Sequence, residues 1–264
     1  MNQKKNALLW EITRNGEDFS YLFGTMHVFE ASLYKWEESL HQRILECDSF
    51  YTEVNFNDEQ ISSIQENMEL PEGQSLKNLL KKKQYQFLEK VFYQSTGLYI
   101  EHLDDMQPMI ITNLLQSSFV TKNMPFSIDH ALWKFAESNG IQVDGLERYE
   151  DQMAIMQSFD LDYQTKQLRD LLKNFKRSRK NMKKMVEMYL HQDINGLYKK
   201  SLKGLKQYKR TLVYERNHLM IKSIDDLSRT SNNFFAVGAA HLSGKSGLIN
   251  GLKKLGWKVK SVNL

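Results

Sequence analysis

Apolar and polar positions keep two different rhythms along this chain: a period of two near both ends and a helical period between them. Leu8, Trp10 and Ile12 alternate with Leu9, Glu11 and Thr13, the signature of a strand. Asn15-Gly16 is a tight-turn signal, and Phe19 to Phe23 reads as the returning strand. The first expected element is therefore a β-hairpin whose second strand runs into Gly24-Thr25-Met26-His27. Helical spacing follows over Trp36 to Glu46. Ser49 to Phe56, rich in aromatic and β-branched residues, predicts a strand with Glu53 near its end. Asn57 and Gln60 have the spacing of a capping box for a helix that stops before Pro71-Glu72-Gly73.

From Ser75 to Leu227 helical periodicity dominates. Leu76, Leu79 and Leu80 mark one short helix; Tyr85, Leu88, Val91 and Phe92 mark another. Gln107-Pro108 is a break, and Ser127 opens a helix closed by Asn139-Gly140. Ile141 to Val143 predicts a short strand leading into Gly145-Leu146-Glu147. Leu168, Leu172, Phe175, Met182, Met185 and Tyr189 form the apolar stripe expected of one long helix. Arg216 to Leu227 is a further helix. Near the end, Phe234-Phe235-Ala236-Val237 is wholly apolar, as a strand buried on both faces should be. It ends in Gly238-Ala239-Ala240-His241. A helix over Ser246 to Leu255 and a last strand over Trp257 to Val262 complete a β-loop-α-β unit.

The predicted class is α/β (mixed α+β), with a sheet built from both chain ends and a large, mainly helical central region. The expectation is a single domain over residues 1–264, with 75–230 as a mainly helical insertion or cap.

Composition narrows the function classes. Of 264 residues 41% are hydrophobic and 26% charged, with 13 Gly and 3 Pro, which excludes collagen-like and disordered chains. The single cysteine, Cys47, excludes an internal disulfide framework and a Cys-rich zinc or iron–sulfur site. No apolar run approaches the roughly 20 residues of a membrane span, and Ala7 to Trp10 is too short for a signal-peptide core. The expected location is cytoplasmic, or exported (periplasmic or secreted) if a leader preceded this numbering. The net charge of +4 is unevenly spread. Between Lys166 and Arg210 there are 15 Lys/Arg against 3 Asp/Glu, leaving 21 basic and 29 acidic residues elsewhere. With no aromatic stacking pattern beside it, this basic stretch reads as a solvated helix face, and no nucleic-acid partner is expected. An adaptor for nucleic acid or an acidic partner is the rival reading of the same stretch, and it predicts steep salt dependence.

The chemistry concentrates at two repeats of strand followed by Gly-x-x-His, at 24–27 and 238–241. In open α/β sheets functional groups gather at the carboxyl ends of strands, and glycine there permits close backbone approach. If the two strands are neighbours, His27 and His241 face one point, and Glu53 from a third strand reaches it too. Two imidazoles and one carboxylate suit a catalytic divalent metal with open positions for water. The bland alternative is that each histidine is an ordinary loop or core residue and Glu53 a surface carboxylate at a strand end. Residues 1–264 contain no His-Glu-x-x-His, no Gly-x-Ser-x-Gly and no phosphate-binding loop. Cys47 has no evident base beside it and reads as a buried thiol.

Tyr21-Leu22-Phe23-Gly24-Thr25-Met26-His27 resembles the first motif of the TraB/PrgY/GumN family, which includes the Tiki proteases. Phe235 to Gly244 with Leu252 and Gly256-Trp257-Lys258-Val259 resembles its closing motif. Tyr51-Thr52-Glu53-Val54 resembles its acidic strand, and Leu70-Pro71-Glu72-Gly73-Gln74-Ser75-Leu76 its Leu-Pro-x-Gly segment. Ile128-Asp129, Gly145-Leu146-Glu147 with Gln152, and Arg216-Asn217 are similar to further motifs, in order along nearly the whole chain. The resemblance implies a fold like that of the erythromycin-esterase and haem-binding ChaN relatives. It also implies a metal-dependent peptidase acting on a peptide or protein, with manganese or cobalt as the ion; histidine and carboxylate donors suit zinc as well. His27 and His241 would bind the ion, and Glu53 would be a third ligand or the general base. Arg216 and Asn217 would position substrate or steady an oxyanion. Glu147 and Asp129 would orient these groups, with Gly24, Thr25 and Gly238 beside them in supporting or substrate-binding places. The alternative on the same fold is a non-catalytic protein that sequesters a peptide signal or haem.

Overall fold

The computed structural model describes residues 6–14, 18–56, 68–120, 124–205 and 208–264. The Asn15-Gly16 turn and the Asn57/Gln60 cap lie outside them. The chain forms two compact units. One comprises Met1–Phe56, Asn123–Asp151 and Met185–Leu264; the other comprises Asn57–Lys122 and Gln152–Lys184. The central region 75–230 is thus apportioned between both.

The first unit is organised by a six-stranded mixed sheet: β1 (Leu9–Arg14), β2 (Asp18–Thr25), β3 (Ser49–Thr52), β4 (Gln142–Gly145), β5 (Asn233–Gly238) and β6 (Lys258–Val262), in the order β4-β3-β5-β2-β1-β6. Strands from both chain ends build it, as the α/β reading expects. β5 lies between β2 and β3, parallel to both. Its Phe234, Phe235, Ala236 and Val237 are almost completely buried, which is why the run is apolar without alternation. β1 pairs antiparallel with β2, from Leu9↔Phe23 to Arg14↔Asp18, and with β6 on its other side. The edge strand β6 alternates exposed Lys258 and Lys260 with buried Val259, and such edge lysines discourage pairing with a second chain.

β3 is shorter than expected. It ends at Thr52, so Glu53 is the first residue beyond it. There the chain bends: Thr52 Oγ1 donates to the Val54 carbonyl at 2.5 Å. The segment after β4 follows it closely, with Glu147 N donating to Glu53 O at 2.9 Å. Gly145 permits this approach, since a Cβ there would sit 2.6 Å from the Asn55 nitrogen.

The second unit is helical among its described residues. Helices Lys82–Thr96, Pro108–Ser117 and Leu161–Lys173 enclose a core that includes Leu88, Phe92, Ile111, Leu115 and Leu168. The expected long helix through Leu168 and Tyr189 is two helices, Leu161–Lys173 and Phe175–Leu190. They part at Asn174, whose side-chain amide donates to the Asp170 carbonyl at 2.9 Å, a local bond that competes with continued helix. Among the described residues no helix is long and apolar enough to cross a membrane.

Candidate functional site

β2 and β5 run side by side in register, with Gly24 opposite Val237 and Thr25 opposite Gly238. The two Gly-x-x-His turns therefore leave the sheet together at the carboxyl ends of parallel strands. Gly24 eases the packing here. A Cβ there would lie 2.7 Å from Leu242 Cδ1 and 3.1 Å from Ala239 Cα, so glycine lets the helical turn Ala239–Leu242 close over β2 without a shift of its neighbours. Buried Tyr189 ties down the first turn, its hydroxyl donating to the Gly24 carbonyl at 2.9 Å.

Each histidine is held through Nδ1. His27 Nδ1 is 2.8 Å from Asp129 Oδ2. A carboxylate only accepts, so Nδ1 carries the proton and Nε2 is the nitrogen turned elsewhere. His241 Nδ1 is 2.5 Å from Asn217 Oδ1. The Asn217 amide nitrogen donates to Ser246 O at 2.7 Å and to His241 O at 3.4 Å, which fixes the oxygen on the histidine side. His241 thus also keeps its proton on Nδ1. Asn217 is fully buried with oxygen and nitrogen both engaged. It stands at the start of helix Arg216–Leu227, directly after a π-helical turn over Arg210–Glu215, a local widening of the helix often found at functional sites.

Glu53 lies between the two turns. Its Oε1 accepts from the Gly238 N–H at 2.6 Å and lies 3.8 Å from His241 Nε2. Its Oε2 accepts from Arg216 Nη2 at 2.5 Å. The same Nη2 lies 2.5 Å from Glu147 Oε2, and Arg216 Nε bonds both Glu147 oxygens at 3.0 Å. One guanidinium therefore joins two buried carboxylates. Burial alone would raise the Glu53 carboxyl. The neighbouring His241, the Arg216 guanidinium, His27 and the Gly238 N–H outweigh it and hold Glu53 well below the usual carboxylate range. The Asp129 carboxylate pushes His27 up to about 9 despite partial desolvation, whereas burial pushes His241 down.

A cavity of about 240 Å³ opens at this point, lined by Thr25, His27, Glu53, Arg216, Gly238 and His241. Asp129, Asn217 and Glu147 hold these residues from behind, and Gly24 lies under the second turn. Gly238 marks the meeting place. A Cβ there would be 3.0 Å from Glu53 Oε1, 3.5 Å from His241 Cδ2 and 3.8 Å from His27 Nε2. Among the described residues no three His, Cys, Asp or Glu side chains form a ready metal cluster; Glu53 is turned toward Arg216 and the Gly238 amide. Thr25 Oγ1 is buried without a hydrogen-bond partner. Tyr189, Met26, Met185 and Leu197 also line the cavity; the sequence places Met185 and Tyr189 in an apolar stripe and Met26 within the first motif, and marks none of the four as a site residue. Tyr189 carried one signal, a hydroxyl within an apolar stripe. Burial pushes the Cys47 thiol up to about 12, which suits an inert thiol.

Comparison with known proteins gives a consistent result. The profile of the TraB/PrgY/gumN family matches residues 8–261. The chain is similar to "Metalloprotease TIKI1" of Xenopus tropicalis, 22% identical over 98% of this chain and 63% of the relative. It is also similar to "Metalloprotease TIKI2" of Danio rerio, 24% identical over 97% of this chain and 61% of the relative. The chain thus spans less than two thirds of the length of these relatives. No solved structure matches.

Proposed function

The chain belongs to the TraB/PrgY/gumN family, and from that premise we propose that it is a divalent-metal-dependent peptidase whose reacting centre lies at Gly238. The observation that carries this reading is the convergence of His27 Nε2, His241 and Glu53 Oε1 within 4 Å of the point a Cβ on Gly238 would occupy. Relatives named metalloproteases support the same reaction class.

The donor set suits such an ion. Each ring donates from Nδ1 to its partner, an arrangement that fixes the ring; Nε2 is then the ligand, at His27 once the ion has displaced its second proton. One lone pair of Glu53 Oε1 remains beyond the one taken by Gly238 N–H. His27 and His241 would hold the ion with Glu53 as the carboxylate ligand; manganese and cobalt are the first candidates and zinc the next. When bound, it supplies a water of lowered pKa and polarises the scissile carbonyl.

The chain's own groups then have distinct tasks. Glu53 is held as an anion by Arg216 and the Gly238 N–H, which suits it to ligate the ion; as a general base it would have to give up part of that stabilisation. Asn217 has its amide engaged within the protein and orients His241 instead of meeting an oxyanion. Arg216 anchors Glu53 through Nη2 and Glu147 through Nε and Nη2, leaving Nη1 as the donor with capacity for a developing negative charge. Thr25 Oγ1 offers a polar contact to a substrate backbone.

The test is elemental analysis after reconstitution with manganese, cobalt or zinc and desalting, followed by a peptide-library cleavage screen. Wild type should retain about one ion per chain and cleave. The His27→Ala/His241→Ala variant should do neither while keeping its fold. Ion content equal in both proteins, or peptide bound and recovered intact, would replace the peptidase reading with the sequestering one.

A further inference from the structure

A second cavity lies away from the histidines. It is a cleft of about 480 Å³ between helix Arg216–Leu227 and the segment from Lys245 to Leu255. Tyr214, His218, Ile221, Lys222 and Asp225 line one wall, spaced as one face of a helical segment. The opposite wall contains helix Leu248–Lys254. The two helices approach closely because residue 251 is glycine: a Cβ there would collide with the Ile221 side chain. Ile221, Gly251 and Leu255 make an apolar floor, with Leu255 42% exposed. The cleft's size falls within the range of small-molecule pockets.

Charge decides what would cover it. Lys222, Lys245 and Lys254 are exposed at the rim and make no ion pair among the described residues. The one carboxylate in the lining is Asp225, and it is already occupied. Its Oδ1 accepts from Trp257 Nε1 at 2.8 Å and lies 3.5 Å from Arg14 Nη1, while Arg229 Nη2 bonds Oδ2 at 2.9 Å. Among the described lining residues, apolar floor and cationic rim therefore meet with no carboxylate left unpaired. Lysine stems can lie along an apolar chain while their ammonium groups reach its head.

We propose that this cleft binds an anionic amphiphile, a fatty carboxylate with an unbranched apolar chain along Ile221 and Leu255 and its carboxylate among Lys222, Lys245 and Lys254. The binding is independent of the peptidase reading, so failure of either leaves the other standing. The cleft nevertheless borders the histidine site, because its Ser246 supplies the carbonyl that accepts from Asn217.

Isothermal titration with decanoate below its micelle concentration, against decyltrimethylammonium of equal chain length, tests the proposal on the whole chain. Saturable binding of about one decanoate per chain, weakening with added salt, is expected, with at least about tenfold preference over the cation. Lys222→Glu/Lys254→Glu should weaken decanoate at least about tenfold, and Leu255→Asp should weaken it by a similar factor. Both changes are at exposed positions, and circular dichroism checks that the variants remain folded. Should either fail to fold, the wild-type preference and salt dependence decide alone. No saturable binding, equal binding of the cation, or unchanged affinity in the folded variants would overturn the proposal.

Discussion

The two Gly-x-x-His turns start from the same local pattern and end in opposite electrostatic states. They leave adjacent parallel strands in register, and each fixes its ring through Nδ1. The partner of His27 is a carboxylate; the partner of His241 is a neutral amide. The His27 side chain is 56% exposed and that of His241 10%. Asp129 therefore favours an imidazolium at His27, while burial favours a neutral ring at His241. A repeated backbone motif sets where two side chains emerge; the carboxylate behind His27 and the burial of His241 set their charges.

Between the two rings lies Glu53, held by Arg216 together with Glu147. Arg216→Ala should have the largest effect. It leaves Glu53 and Glu147 buried without their shared cation, and breaking such a pair costs about 3–5 kcal/mol. Urea denaturation of the metal-free protein measures this. Adding Glu147→Gln should restore part of the loss, because one of the two stranded charges is then removed. A change below about 1 kcal/mol, the value of an exposed pair, would show that the triad is solvated.

Gly238→Ala attacks the meeting point itself. The backbone at Gly238 has φ −53°, which alanine adopts without strain, so any effect is steric. Its Cβ would press on Glu53 Oε1 at 3.0 Å. Overpacking of this kind costs about 1–3 kcal/mol, and retained metal should fall with it. Full metal retention in a stable Gly238→Ala variant would place the ion elsewhere.

Exchanging the partners would erase the contrast between the rings. Asp129→Asn should bring His27 down from about 9 toward or below the ordinary 6.5 of histidine, and Asn217→Asp should raise His241. Imidazole nitrogen NMR on chelator-treated protein reads both. The linked stabilities have opposite slopes. The raised folded pKa of His27 makes its contribution complete below about 6.5 and lost as pH rises through about 9. The lowered folded pKa of His241 makes its contribution complete above about 6.5 and lost as pH falls through its folded value. In Asp129→Asn the loss of stability between 6.5 and 9 should disappear; persistence of that slope would assign it to another group.

The strands around this site were legible because a strand buried on both faces must be apolar, as Phe234 to Val237 are. The hairpin was legible from the two-residue period of β1. The partners were less so. Asp129 and His27 are 102 positions apart and Asn217 and His241 are 24 apart, and spacing carries no record of which side chains meet. Both entered as candidates through family motifs, without the pairing that gives each a task. Asn174 ended a helix that the apolar stripe alone would continue, because the stripe records burial and not the side-chain bond to Asp170. The π-helical turn before Arg216 left no periodic trace in so short a segment.

Tyr189 shows the same limit on a smaller scale, and its removal should have the smallest effect. The stripe explains its ring, but only the fold explains its hydroxyl, which donates to Gly24 O beneath the first turn. The second turn starts instead from Gly238, whose N–H is tied to Glu53. Tyr189→Phe keeps the ring and leaves a buried carbonyl short of one donor, a loss of about 1 kcal/mol. If the turns are separately supported, chelator-treated Tyr189→Phe should shift the His27 imidazole resonances and leave those of His241 in place. Equal shifts at both rings would mean that the turns move as one body and that their electrostatic difference is imposed on a single rigid element.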